Sequence, residues 1–129
     1  MKNLPMEIRP KGDLDLVAKF SLEMWKLLRA FERTLDDLPD EKKQRRSSQH
    51  RYSTSRLESL LDEAGLRLLT FDGQKFTANL PVSPLNADDV GDPNDAMIES
   101  TIEPAIVGQN ILIHTGKVIL AGGTNVSRD

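Results

Sequence analysis

The most constraining feature of the chain is a stripe of apolar residues that repeats every three or four positions between Asp13 and Leu38. This spacing places the stripe on one face of an α-helix. It consists of Leu14, Val17, Phe20, Met24, Leu27, Leu28, Phe31, Leu35 and Leu38. A helix of this length extends about 39 Å, and a small domain cannot bury so long an apolar face by itself. The stripe therefore predicts a helical bundle.

The ends of the helices are marked by residues that favour or forbid helical backbone. Asp13 is a suitable N-cap and Pro39 disfavours helical backbone at the residue before it, so a first helix is predicted over 13–38. A second helix is predicted over 40–64, followed by the capping residue Gly65. Because the connection is so short, the two helices should form an antiparallel hairpin. Serines and threonines between 47 and 55 leave a break in the second helix open.

Beyond Gly65 the pattern changes to short strand-like runs separated by turn residues. Strand-like runs are predicted near 66–71, 97–106, 110–114 and 117–120. Thr115-Gly116 predicts the hairpin turn between the last two, and Asp72-Gly73 predicts another turn. The sequence therefore predicts a helical dimerisation region over 1–65 and a small β-domain over 66–129.

Composition narrows the classes of function. The chain has no cysteine and only two histidines, which excludes a disulfide scaffold, a thiol nucleophile and a cysteine-based metal site. We therefore expect no catalytic residue, no metal and no cofactor, and a protein that is not an enzyme. The 38% apolar content is low for one large core. No apolar run is long enough for a secretory leader or a membrane span, so we expect a cytoplasmic protein without a membrane partner.

Charge is distributed unevenly along the chain. Residues 1–65 carry 13 basic and 12 acidic side chains, whereas residues 66–129 carry 4 and 8. The segment Lys42–Arg56 contains six basic residues and no acidic one, a pattern compatible with nucleic-acid binding. The net charge of −3 and the single nearby aromatic residue, Tyr52, favour a solvated helix face. Nucleic-acid binding through this segment stays open as an alternative function.

Four blocks of the sequence, taken in order and at similar spacing, resemble GrpE-type nucleotide exchange factors, which are co-chaperones of Hsp70 ATPases. The blocks are Leu27–Leu35, Leu60–Leu66, Gly73–Phe76, and Thr101–Pro104 together with Ile111–Leu120. They extend over about residues 14–120. The resemblance implies a homodimer whose β-domain presses on the nucleotide-binding domain of an Hsp70-type ATPase, opens its cleft and promotes ADP release.

The predicted fold class is α+β. A long N-terminal helix and a helical hairpin, assembled as a dimeric four-helix bundle or coiled coil, precede a small C-terminal all-β domain. A dimeric adaptor or structural module of the same fold, without exchange activity, is a further alternative function.

Two sets of interaction residues are expected, the first from the resemblance and the second from the apolar stripe of the first helix. The residues expected to bind the Hsp70-type partner are Pro104, Ile113, His114, Gly116, Lys117 and Val118. Gly116 is expected to form the turn, and Lys117 is expected to pair with a carboxylate of the partner. The residues expected at the dimer interface are Val17, Phe20, Met24, Leu27, Phe31 and Leu35.

Overall fold

The computed structural model describes residues 10–122 of the 129-residue chain, with side chains from residue 12 onward. Residues 1–9, which contribute to the leader prediction, lie outside this range. The chain divides between Arg67 and Leu68 into a helical unit and a β unit. None of the described helices is both long enough and apolar enough to cross a membrane.

Within the described residues 10–67, the helical unit is a hairpin of two helices. Helix α1 spans Pro10–Thr34 and continues into a single 3-10 turn, Leu35–Asp37. It begins at a proline, which is favourable at the first helical position, and Asp13 lies in the first turn instead of at the N-cap. Helix α2 spans Asp40–Glu63 without a break, so the serines and threonines near its middle do not interrupt it.

The two helices pack against each other along the hairpin. Leu57 of α2 is buried and lies beside Val17 and Ser21 of α1 in the groove between the helices. Near the middle of the hairpin, the His50 ring stacks on Phe31 with ring centroids 6.1 Å apart. Its Nε2 lies 3.1 Å from the Leu28 carbonyl oxygen and donates a hydrogen bond to it, because a carbonyl can only accept. These contacts fix α2 against α1.

The predicted dimeric four-helix bundle or coiled coil is wrong. The described residues form two helices followed by two small sheets. The physical reason is that α2 of the same chain covers one side of α1, so the apolar stripe is divided. Leu35 is buried within the hairpin and Phe31 is half-buried beside His50, whereas Phe20 and Leu27 stay exposed.

Helix α2 ends in a Schellman motif. The Leu66 amide donates to the Leu61 carbonyl at 2.9 Å, and the Gly65 amide donates to the Asp62 carbonyl at 2.9 Å. Gly65 has φ +77°, a backbone conformation that L side chains rarely adopt. Leu61 and Leu66 are both almost completely buried, which is the apolar contact that accompanies this motif.

Up to residue 122, where the described part of the chain ends, the β unit has six strands in two three-stranded sheets, ordered β1-β4-β5 and β2-β6-β3. The strands are β1 Arg67–Leu69, β2 Val82–Pro84, β3 Ile98–Glu103, β4 Ala105–Gly108, β5 Ile111–His114 and β6 Gly116–Leu120. Strand β2 runs parallel to β6, whereas β3 with β6 and β4 with β5 are antiparallel pairs.

One long hairpin, bent in the middle, joins the two sheets. Its pairing runs from Ile98 opposite Leu120 to Gly108 opposite Ile111, and the tip is the two-residue turn 109–110. The two strands of the hairpin leave one sheet for the other at Pro104 and at Thr115. Strands β3 and β4 therefore form one arm of a single hairpin, and strands β5 and β6 form the other arm.

The prediction that Thr115-Gly116 forms the hairpin turn is wrong. Gly116 lies in β6 and is buried. A Cβ atom on it would lie 2.9 Å from the Ala105 amide nitrogen and 3.0 Å from the Glu103 carbonyl oxygen. Gly116 is therefore required because the two arms of the hairpin approach closely at the bend. Asp72-Gly73 does form a turn, but Lys75 beyond it bridges Met97 instead of pairing with β1.

The core of the β unit lies around the bend and on the β2-β6-β3 sheet. It is formed by Phe71, Phe76, Val82, Ile98, Ala105, Val118 and Leu120. Two side chains complete the backbone hydrogen bonding: Thr101 Oγ1 accepts from the Phe71 amide, and the Asn86 amide group bonds both the N–H and the C=O of Leu120. The long loop after β2 is thereby held to β6.

Substitution of Gly116 by alanine should destabilise the protein. The new methyl group would lie 2.9 Å from backbone that cannot move without displacing the bend, and overpacking of this kind costs about 2 kcal/mol. Urea denaturation should give a lower midpoint for Gly116→Ala. Gly91→Ala is the matched control, because nothing lies within 4 Å of its Cβ position. Equal midpoints for the two variants would contradict the close approach.

Substitution of Gly65 by alanine should shorten α2 at its C-terminus. An alanine at φ +77° costs about 1 kcal/mol. Asparagine tolerates the left-handed region better, so Gly65→Asn should lose less stability than Gly65→Ala. Thermal unfolding followed by circular dichroism at 222 nm measures both variants. The reverse order of stability would show that the Schellman motif does not control this helix end.

Candidate functional site

The residues predicted to bind a partner separate into buried and accessible groups. Pro104, Gly116 and Val118 are buried at the bend and in the core of the β unit. Ile113 and His114 are half-buried in β5, and Lys117 is exposed in β6. The accessible residues Ile113, His114 and Lys117 are therefore the members of this set that have surface to present, and the buried three shape the strands that carry them.

A cluster of charged groups crosses the bend. The Glu103 Oε1 atom lies 3.0 Å from His114 Nε2 and 3.7 Å from Lys117 Nζ. The Glu103 side chain is only 11% exposed, and a carboxylate so poorly solvated needs hydrogen-bonded or charged neighbours. Lys117, which is expected to pair with a carboxylate of the partner, lies within ion-pair distance of Glu103 in the same chain. The cluster joins β3, β5 and β6 on the surface of the β unit.

The tip of the long hairpin is an apolar surface that the sequence prediction did not include. Ile111 and Leu112 are 47% and 46% exposed, and they lie on β5, an outer strand of its sheet. Asn110 in the turn has φ +59°, a conformation that asparagine adopts more readily than most residues. Asn110 is the sequence signal for this turn. The prediction of a turn at Thr115-Gly116 is the reason that the sequence analysis does not identify it.

The residues predicted at the dimer interface lie on two different surfaces. Val17, Phe20, Met24 and Leu27 are exposed on one side of α1, with Phe20 exposed by 71%. The first three of these residues line a groove of about 420 Å³ between α1 and α2. Helix α2 contributes Tyr52, Ser53, Arg56, Leu57 and Leu60 to the same groove. Phe31 and Leu35 instead take part in the packing of the hairpin.

A polar recess lies elsewhere on the helical unit. It is lined by Glu32, His50, Arg51, Thr54, Ser55 and Glu58. The His50 Nε2 atom is already occupied by the Leu28 carbonyl, and Thr54 Oγ1 is buried without a hydrogen-bond partner among the described residues. Between residues 12 and 122, no three histidine, aspartate or glutamate side chains lie together in a way that could hold a metal ion.

Comparison of the chain with protein-family models, with curated proteins and with solved structures finds no match. The candidate surfaces therefore rest on the residues and their geometry. They are the hairpin tip with its charged cluster in the β unit, and the apolar groove in the helical unit.

Replacement of Glu103 by glutamine should destabilise the protein. The change keeps the shape of the side chain but removes the negative charge shared by His114 and Lys117. Loss of a charge-assisted hydrogen bond at a mostly buried site costs about 2 kcal/mol. Urea denaturation at neutral pH measures the loss. Glu99→Gln on the same strand is the control, since Glu99 is exposed and should change stability by less than about 0.5 kcal/mol.

Proposed function

We propose that the chain is a GrpE-like co-chaperone. It binds the nucleotide-binding domain of an Hsp70-type ATPase through the β unit and promotes release of ADP. The single observation that carries this proposal is the four-block resemblance, whose last block, Ile111–Leu120, contains the exposed hairpin tip and part of the charged cluster. The order of a helical hairpin followed by a β unit supports it.

The hairpin tip has the composition of a protein-binding surface. Ile111 and Leu112 supply an exposed apolar centre, and Lys117 with His114 supplies polar groups on the same hairpin. Protein interfaces combine an apolar core with a polar rim in this way. Because β5 is paired with β4 and the bend is closely packed, the tip is held in place before the partner arrives, which lowers the entropy cost of binding.

The proposed mechanism is a shift between two conformations of the ATPase. A protein that binds the open nucleotide cleft better than the closed one stabilises the open cleft, from which ADP dissociates. Each tenfold shift of that equilibrium requires about 1.4 kcal/mol of difference between the two binding free energies. The role demands surface complementarity from this chain, with no catalytic side chain or cofactor of its own.

The proposed function places the chain in the cytoplasm with its ATPase. The homodimer stays a prediction from the sequence, and multi-angle light scattering of the full chain after size exclusion measures it. Exchange activity is a separate question from the number of copies, because the proposed contact lies within the β unit.

Replacement of Leu112 by serine should weaken ADP release. Stopped-flow fluorescence of a labelled ADP bound to a purified Hsp70-type ATPase measures release with and without the full chain. The wild-type chain should accelerate release, and Leu112→Ser should need about tenfold more protein for the same rate, because one buried leucine contributes about 1.5 kcal/mol to an interface.

The matched control is Leu85→Ser. Leu85 is 54% exposed, similar to Leu112, but lies just after β2 in the loop beside the other sheet. It should leave the release rate unchanged. If wild-type protein at saturating concentration does not accelerate release, the proposed exchange activity is wrong. If both leucine variants weaken release equally, the hairpin tip is not the contact surface.

A further inference from the structure

We propose that one face of the helical hairpin, made of the apolar groove and a neighbouring row of basic side chains on α2, binds an amphipathic helix with an acidic flank from a partner protein. This inference goes beyond the proposed exchange function, since it concerns the helical unit and does not depend on the hairpin tip. We call this surface the basic groove face. Its basic row consists of Lys42, Arg45, Arg46 and Arg56.

The apolar half of the basic groove face comes chiefly from α1. Val17, Phe20 and Met24 line the groove, and Leu27 continues the same side of the helix by one turn. From α2, Tyr52 and Leu60 are 65% and 46% exposed at the groove. A row of large apolar side chains beside a cleft between two helices is the surface that the apolar face of a third helix fits.

The basic half follows from helical spacing on α2. Helical spacing places four basic residues on one side of α2, namely Lys42, Arg45, Arg46 and Arg56. Arg56 also lines the groove. All four side chains are exposed. Within the described part of the chain, none of the four forms an ion pair with a carboxylate. The next lysine, Lys43, differs because it pairs with Asp36 at 3.2 Å.

The pattern favours an acidic amphipathic helix over other occupants. Nucleic acid would satisfy the arginines, but its phosphates would lie beside Phe20 and Leu27, and the chain has a net charge of −3. A second copy carries the same four basic side chains on its own basic groove face, so two such faces repel where the basic rows meet. A helix with leucine-type residues toward α1 and glutamate or aspartate toward α2 matches both halves.

The dimensions specify the ligand further. The basic row from Lys42 to Arg56 extends about 21 Å along α2. A partner helix of about four turns covers it. Its acidic residues should recur at three- and four-residue intervals to follow the arginines, and its apolar residues should form an adjacent stripe.

A synthetic peptide tests the proposal with the full chain. The probe is a fluorescein-labelled helix of about 18 residues, with leucines along one stripe and glutamates along the neighbouring flank, and the control peptide has lysine in place of each glutamate. Fluorescence anisotropy should show the acidic peptide binding about tenfold more tightly than the basic one. Binding should weaken as salt rises from about 0.05 to 0.3 M, because the charges are exposed.

Variants locate the site. The double variant Arg45→Glu/Arg46→Glu and the variant Phe20→Ser should each weaken binding of the acidic peptide by about tenfold. Arg51→Glu is the charge-reversal control, to be compared with Arg45→Glu alone, because Arg51 lies on the opposite side of α2 from the basic row. It should bind the peptide with little change. Phe20 and the arginines are exposed, so circular dichroism should show unchanged helix content in all variants.

Several results would overturn the inference. These are no saturable binding of the acidic peptide, equal binding of the two peptides, or an equal loss from Arg51→Glu. Light scattering that shows a dimer which Phe20→Ser dissociates would assign the face to a second copy. Tighter binding of duplex RNA than of the peptide, with the same sensitivity to Arg45→Glu/Arg46→Glu, would assign it to nucleic acid. None of these results changes the ADP-release measurement, which reports on the β unit.

Discussion

The close approach of Gly116 to the backbone of Glu103–Ala105 is the constraint on which the β unit depends. At this point both arms of one long hairpin pass from one sheet to the other, so a side chain at 116 would force the arms apart. The bend brings Glu103 beside His114 and Lys117, and the tip beyond it carries Ile111 and Leu112. The close approach at Gly116 therefore underlies both the packing of the core and the arrangement of the candidate surface.

In the helical unit, the corresponding constraint is that α1 carries more apolar surface than α2 covers. α2 contacts the side of α1 that carries Leu28 and Phe31 through the His50 ring, whereas Phe20 and Leu27 stay exposed. A 24-residue helix as polar as α2 is stabilised mainly by this packing and by its C-terminal Schellman motif, because isolated helices are marginal in water. The exposed side is the one on which we propose that a partner helix binds.

The two units present different chemistry to partners. The hairpin tip is a small apolar surface on a preformed support, which suits the proposed contact with an ATPase domain. The basic groove face combines apolar and positive rows and suits an acidic helix. A chain with both proposed contacts would bring a second protein to the ATPase. Each contact can be removed by its own exposed-residue variant, so the two functions are separable.

The sequence by itself determined the elements whose signals are local. Three- and four-residue spacing identified the helices, and Gly65 ended α2 because only a left-handed residue completes that cap. Tertiary structure decided the turn at 109–110. The pairing register of the two arms is set where Pro104 in one arm lies against Gly116 in the other, and neither residue lies in the turn itself. It also decided which apolar residues of α1 are buried. Spacing places residues on a helix face, but only the neighbouring helix determines which part of that face is covered.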